Sequence, residues 1–238
     1  MSTPAPNTYS IRNGILAALP YQEFARLFPN LRLVNLAAGD VLCETGDNIR
    51  HAYFLNSGAV CLLAESSNGE SIEVGSVGNE GVVGVPTILR VERALFRVIV
   101  EIPGDALRVE ADTLREEFHR GGELQNWLLR YTHALFTQMF QSGICNHFHT
   151  VEQRLARWLL VTSDRGQSES FQLTHELIAQ MLGTSRSAVT MAAARLERLG
   201  LISHCRGKVI ILDRPALQVT GCECYEIIKD EFDRFLDS

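Results

Sequence analysis

Nothing in this sequence approaches the roughly 20 consecutive apolar residues needed to cross a bilayer. Nor does the opening stretch "MSTPAPNTYSIRNG" place a basic segment before an apolar one, as a secretory signal would. A cytoplasmic protein with no membrane association is expected. No C-x-x-C pair is present among the 6 cysteines, so a zinc ribbon or a thioredoxin-like centre is not expected. The cysteines are Cys43, Cys61, Cys145, Cys205, Cys222 and Cys224, and thiols stay reduced in a cytoplasmic chain. Cys222 and Cys224 form the one C-x-C, read either as two tail residues or as a metal or redox pair, and no metal is assigned. A surplus of positive charge is lacking too. The net charge of -6 argues against indiscriminate binding to polyanions. No Walker loop and no nucleophile–base pair is visible, so no catalytic residue is assigned.

What is present comes in blocks. Residues 32–110 hold short β-prone runs such as "AYFLNSG", "AVCLLAE", "SIEVGSVG" and "RVIVEI". They are separated by Gly39, Gly46, Gly58, Gly69, Gly78, Gly81 and Gly104, with Asn68-Gly69 a strong hairpin signal. Turns this frequent predict an antiparallel sandwich or barrel. A short helix is expected over about 19–30 and another from Ala111 to Gly121. From Glu123 to Phe148 no glycine or proline intervenes until Gly143, which predicts one long helix. Along it Leu124, Leu128, Tyr131, Leu135, Gln138, Ser142 and Cys145 step by four and three, the seam of a coiled coil and a candidate dimer interface. A further helix is expected over Val151–Thr162, and "SDRGQSES", 163–170, as a polar loop.

The most informative stretch is "LTHELIAQMLGTSRSAVTMAAARLERLGLI". Thr174 can cap a helix through 175–182, Gly183 permits a sharp turn, and Thr184 or Ser185 caps the next helix. There Val189, Ala192, Ala193, Leu196 and Leu199 share one face, leaving Arg186, Ser187, Thr190, Met191 and Arg195 on the other. This is a helix-turn-helix, in which the second helix enters the major groove. "LISHCRGKVIIL" then reads as two strands around Arg206-Gly207, a wing whose Arg206 and Lys208 would lie on phosphates. Residues 171–212 carry a net +3, while 213–238 carry -4. The candidate DNA-contacting residues are therefore Thr174, His175, Thr184, Ser185, Arg186, Ser187, Thr190, Met191, Arg195, Arg206 and Lys208. Double-stranded DNA is the expected partner.

With these motifs in place, the chain resembles the Crp/Fnr superfamily over most of Ile11–Asp213. "LAAGDVLCETGDNIRHAYFLNSGAVCLLAESSNGESIEVGSVGNEGVVG" resembles its sensor barrel. "ELIAQMLG", "SR" and "RLERLGLI" resemble its winged helix-turn-helix. The resemblance implies an α+β fold. An antiparallel β jelly-roll sensor domain over 1–120 is followed by a dimerisation helix over 121–148. A winged helix-turn-helix occupies 149–214, and an acidic tail over 215–238 lies outside the family pattern. It also implies a homodimeric transcription regulator on a two-fold symmetric operator, with RNA polymerase as a partner.

The effector pocket departs from the cyclic-AMP-binding members. Gly84 matches their phosphate-cassette glycine, but Val85 stands where a glutamate holds the ribose. Arg97 resembles the arginine that pairs with the phosphate, with Val98 in place of a small hydroxyl residue. Met139 and Phe140 replace hydroxyl residues facing the base. Cyclic AMP is therefore not expected, and the effector is unknown or absent: the pocket either holds another ligand or is filled by side chains. An oxygen-sensing iron–sulfur cluster is not expected either, because no cysteine precedes Cys43. A haem- or redox-responsive regulator is the alternative, with His51, His119 and His133 as conceivable axial ligands. "HFHTVE" offers His147, His149 and Glu152 to a jelly-roll metal enzyme, but off the strands, so His149 or Thr150 is read as a cap or hinge. The recognition helix carries Ser187 and Met191 where well-known members place glutamate and arginine, so a different half-site is expected. A hinge is expected near 143–150.

Overall fold

The computed structural model describes residues 10–237. It begins with α1 (Gly14–Ala18), α2 (Tyr21–Leu27) and a 3-10 turn over Phe28–Asn30. The single helix expected at 19–30 is thus broken up, since Pro20 caps α2 and Pro29 opens the tighter turn. Asn13 anchors this segment. Wholly buried, its amide donates to the carbonyls of Leu55 (2.9 Å) and Gly81 (2.8 Å), while its oxygen caps α1 at Leu16 N.

The strands follow as β1 (Arg32–Leu36), β2 (Val41–Cys43), β3 (His51–Glu65), β4 (Ser71–Val77), β5 (Val82–Val83) and, after α3 (Val85–Ile88), β6 (Arg97–Glu110). All pair antiparallel, in the order β1-β6-β3-β4, with β2 on β6 and β5 on β3. The long β3 and β6 shift register at Leu55–Val60, which bends the sheet over its own core. At that bend the backbones nearly touch: a Cβ on Gly104 would lie 2.2 Å from the Ser57 carbonyl, so no other residue fits there. The α+β class and the antiparallel sheet expected from the glycine-bounded runs are both present.

Helix α4 (Ala111–His119) leads to α5 (Glu123–Phe148), whose bounds match the uninterrupted periodicity. The seam does not play the part expected of it. Leu124, Leu128, Tyr131, Leu135, Gln138, Ser142 and Cys145 are all buried within this one chain. The first four join the core beneath the sheet, and the Gln138 amide bonds Ser76 of β4. A heptad stripe marks an apolar face, and here its own sheet covers that face. The exposed face of the same helix carries Leu129, Phe136, Phe140 and Ile144, spaced seven, four and four apart.

Helix α6 (Val151–Gly166) opens on a complete capping box, with Thr150 Oγ1 accepting from Gln153 N and Gln153 Oε1 accepting from Thr150 N. It runs four residues past its expected end, into the stretch read as a loop. Ser163 and Arg165 are buried there, Ser163 accepting from Arg214 and Arg165 lying over the Phe232 ring at 3.8 Å. Then come β7 (Ser170–Gln172), α7 (His175–Met181), α8 (Arg186–Arg198), β8 (Ile202–Cys205) and β9 (Lys208–Ile211), with a sheet in the order β7-β9-β8.

The acidic tail is not a loose extension. It forms α9 (Arg214–Thr220) and α10 (Cys224–Leu236). Ile228, Phe232 and Phe235 of α10 enter the core shared by α5 and the first sheet, while Tyr225 enters the core of the C-terminal domain. One apolar stripe thus staples both cores, while the acidic residues of 213–238 stay on the outer side. No helix among the described residues is long and apolar enough to cross a membrane.

A buried carboxylate, Glu73, and a half-buried one, Glu101, line the joint between the halves. Trp158 Nε1 donates to Glu73 at 2.7 Å, tying α6 to β4. Next to it the Glu101 carboxyl accepts from Cys61 Sγ at 3.3 Å, and its second oxygen is enclosed without a partner. Burial, and then the neighbouring Glu73, push Glu101 up to about 8 from 4.5. The folded state therefore holds a proton that the unfolded chain releases above about pH 4.5. The stability this contributes is full below that value and is lost as pH rises toward 8. Glu101→Gln is expected to flatten this fall, read as urea midpoints between about pH 5 and pH 8. Parallel curves for the variant and the wild type would contradict the assignment.

Candidate nucleic-acid interface and effector cavity

Thr174 Oγ1 accepts from Leu177 N (3.2 Å) and caps α7. Ser185 Oγ accepts from Ala188 N (3.2 Å) and caps α8, which resolves the choice between Thr184 and Ser185. Gly183, at φ +55, makes the turn between the helices, and a Cβ there would meet Ile72 of β4 at 2.6 Å. Val189, Ala192, Ala193 and Leu196 are buried as expected; Leu199 is exposed, because it falls at the C-cap, where the helical face ends. Leu201 and Ile202 fill the core in its place.

The opposite face of α8 is open. Arg186, Ser187, Thr190, Met191 and Arg195 are all exposed, Met191 at 70%. Arg186 has only a loose pairing with Glu176, at 3.9 Å between two largely exposed side chains, worth little in water. Thr190 donates to the Arg186 carbonyl (2.9 Å) and meets His175 Nδ1 at 3.0 Å. His175 stacks on His204 of the wing at 4.1 Å. Burial, then the charges of His204 and Arg186, lower the His175 pKa. Arg195 reaches back to Glu152 at 2.9 Å and braces α8 against α6. The wing turn places Arg206 at φ +50, with Arg206 and Lys208 exposed. Of the candidate DNA residues, His175 and Thr190 are brought into contact across α7 and α8.

Below the first sheet lies a cavity of about 680 Å³. Gly84, Val85, Val98 and Met139 line it, as placed from the sequence. Arg97 and Phe140 do not. Alternation along β6 turns Val98 inward and Arg97 away, and Arg97 pairs with Glu44 at 3.0 Å. Phe140 lies on the outer face of α5, 69% exposed. The arginines that do line the cavity are Arg50 and Arg93, with His51 beside them. The signal for Arg93 was its place in the loop before β6, where side chains need not alternate. Three histidines considered as axial ligands are dispersed and engaged: His51 with Glu110 (3.2 Å), His119 with Arg90 (3.3 Å), His133 with Glu231 (2.7 Å).

Comparison with known proteins accords with this geometry. Residues 33–120 match the cyclic nucleotide-binding domain, and residues 153–220 match the Crp-like helix-turn-helix domain. The global nitrogen regulator of Synechococcus elongatus is 24% identical over 198 residues, covering 79% of this chain and 88% of that protein. Its namesake in Nostoc is 25% identical over 177 residues, covering 70% and 78%. Among solved structures, FixK2 from Bradyrhizobium japonicum superposes with a TM-score of 0.69 at 15% identity, covering 81% of this chain and 98% of that one. A CRP/FNR-family transcriptional regulator from Thermus thermophilus gives 0.65 at 22%, covering 79% and 97%. With a cyclic nucleotide-binding-like domain, a long connecting helix and a Crp-like winged helix-turn-helix in that order, this chain is a DNA-binding transcription regulator of the Crp/Fnr family.

Proposed function

We propose that the protein acts in the cytoplasm as a homodimer, binding a two-fold symmetric operator and acting on RNA polymerase, with no catalytic role of its own. The observation that supports this best is the open face of α8, where a capped helix presents Arg186, Ser187, Thr190 and Met191 with nothing laid over them. Half-sites would lie about one helical turn apart. Arg186 carries the strongest base or phosphate contact, its tie to Glu176 being too weak to compete with DNA. With Ser187 and Met191 in the helix, the half-site differs from that of members carrying glutamate and arginine there.

The cavity receives an effector other than cyclic AMP. Val85 and Val98 offer no carboxylate or hydroxyl to a ribose phosphate, and leaving those ligand groups unpaired costs several kcal/mol. The test is site selection on random DNA, then anisotropy titration of the selected operator at one fixed salt concentration. Arg186→Ala is expected to weaken binding by roughly 1–3 kcal/mol, and added cyclic AMP to leave the wild-type curve unchanged. Equal affinity of variant and wild type would overturn the Arg186 assignment. A cyclic-AMP-dependent gain would overturn the reading of the cavity.

A further inference from the structure

Four side chains far apart in sequence meet at the joint between the two halves. Cys145 lies in the last turn of α5 and His149 at its C-cap, while Cys222 lies in the turn between α9 and α10 and Cys224 opens α10. Their ligand atoms all lie within 4.8 Å of one another. Cys145 Sγ is 3.6 Å from Cys222 Sγ, and Cys224 Sγ is 3.6 Å from His149 Nδ1. A disulfide would hold its sulfurs at about 2.05 Å. Ligands of one tetrahedral ion, with bonds of about 2.3 Å to sulfur and about 2.0–2.1 Å to nitrogen, stand about 3.5–3.8 Å apart. An iron–sulfur cluster would spread its cysteines over different irons and a wider span.

The surroundings fit an ion as well. The three cysteines form a small buried cluster of their own, separate from both large cores. His149 Nε2 faces the Glu223 carboxylate at 3.3 Å, which turns Nδ1 toward the sulfurs in the manner of an outer-shell partner.

We propose that Cys145, His149, Cys222 and Cys224 form a mononuclear Cys3His site for a soft divalent cation, Zn2+ foremost. Thiolate and imidazole are the donors that favour such an ion over Mg2+ or Ca2+. Binding displaces the thiol protons to solvent, with no change of oxidation state. The ion clips the α5–α6 joint to the α9–α10 turn. This site stands whether or not the DNA reading holds.

The full chain, purified with reductant and without chelator, is expected to carry about one zinc per chain by elemental mass spectrometry. Chelated protein given Co2+ should show sulfur-to-cobalt charge transfer and the visible bands of a tetrahedral thiolate site. Cys222→Ser and Cys224→Ser should lose both signals, while Cys205→Ser keeps them. Chelator should lower the thermal midpoint of the wild type but not of Cys222→Ser. If a variant fails to fold, the wild-type Co2+ spectrum decides alone. Wild-type protein that takes up neither Zn2+ nor Co2+ would overturn the site. So would a freshly isolated chain whose mass is short by the two hydrogens of a disulfide.

Discussion

Phe140→Glu is expected to leave the protein folded but monomeric, with operator affinity reduced by about two to four orders of magnitude. Its ring is 69% exposed on the chain alone, between Phe136 and Ile144 on the outer face of α5. A stripe with Leu129 added is more apolar surface than a lone helix face leaves in water without reason. A second copy laid along it would bury it by coiled-coil packing. Because Phe140 contributes nothing to this chain's own core, a charge there leaves the fold intact but places like charges face to face across the two-fold. Losing the second half-site removes an effective-concentration gain of about 10²–10⁴. Light scattering after gel filtration and operator titration measure the two halves of this claim. A variant that remains dimeric would mean another surface joins the copies.

Phe232→Ala is expected to cost about 3–5 kcal/mol in urea unfolding. The ring is buried against Tyr131 (6.4 Å between centroids), and the Arg165 guanidinium lies 3.8 Å from its centre. Truncation leaves a cavity beneath α5 and removes a desolvated cation–π contact worth about 2 kcal/mol. Arg165 then keeps its pairing with Glu80, at 3.4 Å. A loss under about 1 kcal/mol would show that α10 decorates the fold rather than closing it.

How much of this could be read beforehand depended on whether the determining forces were local. The limits of α5 followed from the lack of helix breakers, and the first cap of the helix-turn-helix from Thr174, while the second was narrowed to Thr184 or Ser185. The partner of the α5 seam was not readable. Periodicity reveals that Leu124, Leu128 and Tyr131 share a face, but not that β4 and α10 cover it. Arg97 was misplaced for a similar reason: one residue of register on β6 exchanges inside for outside, and Arg93 took the position by the cavity. The packing of the tail was not readable because its negative charge dominates the composition, while Ile228, Phe232 and Phe235 form a stripe visible only once the helix is drawn. The cysteine cluster needed tertiary contact between residues more than seventy positions apart.

Because α10 returns to the first domain, the polypeptide passes between the halves twice, once after Phe148 and once after Gly221. Both passages run side by side at Cys145 and Cys222. Such a double tether holds the two halves together at one spot even if one strand is cut. A protease nick at His149 alone would leave the pieces joined.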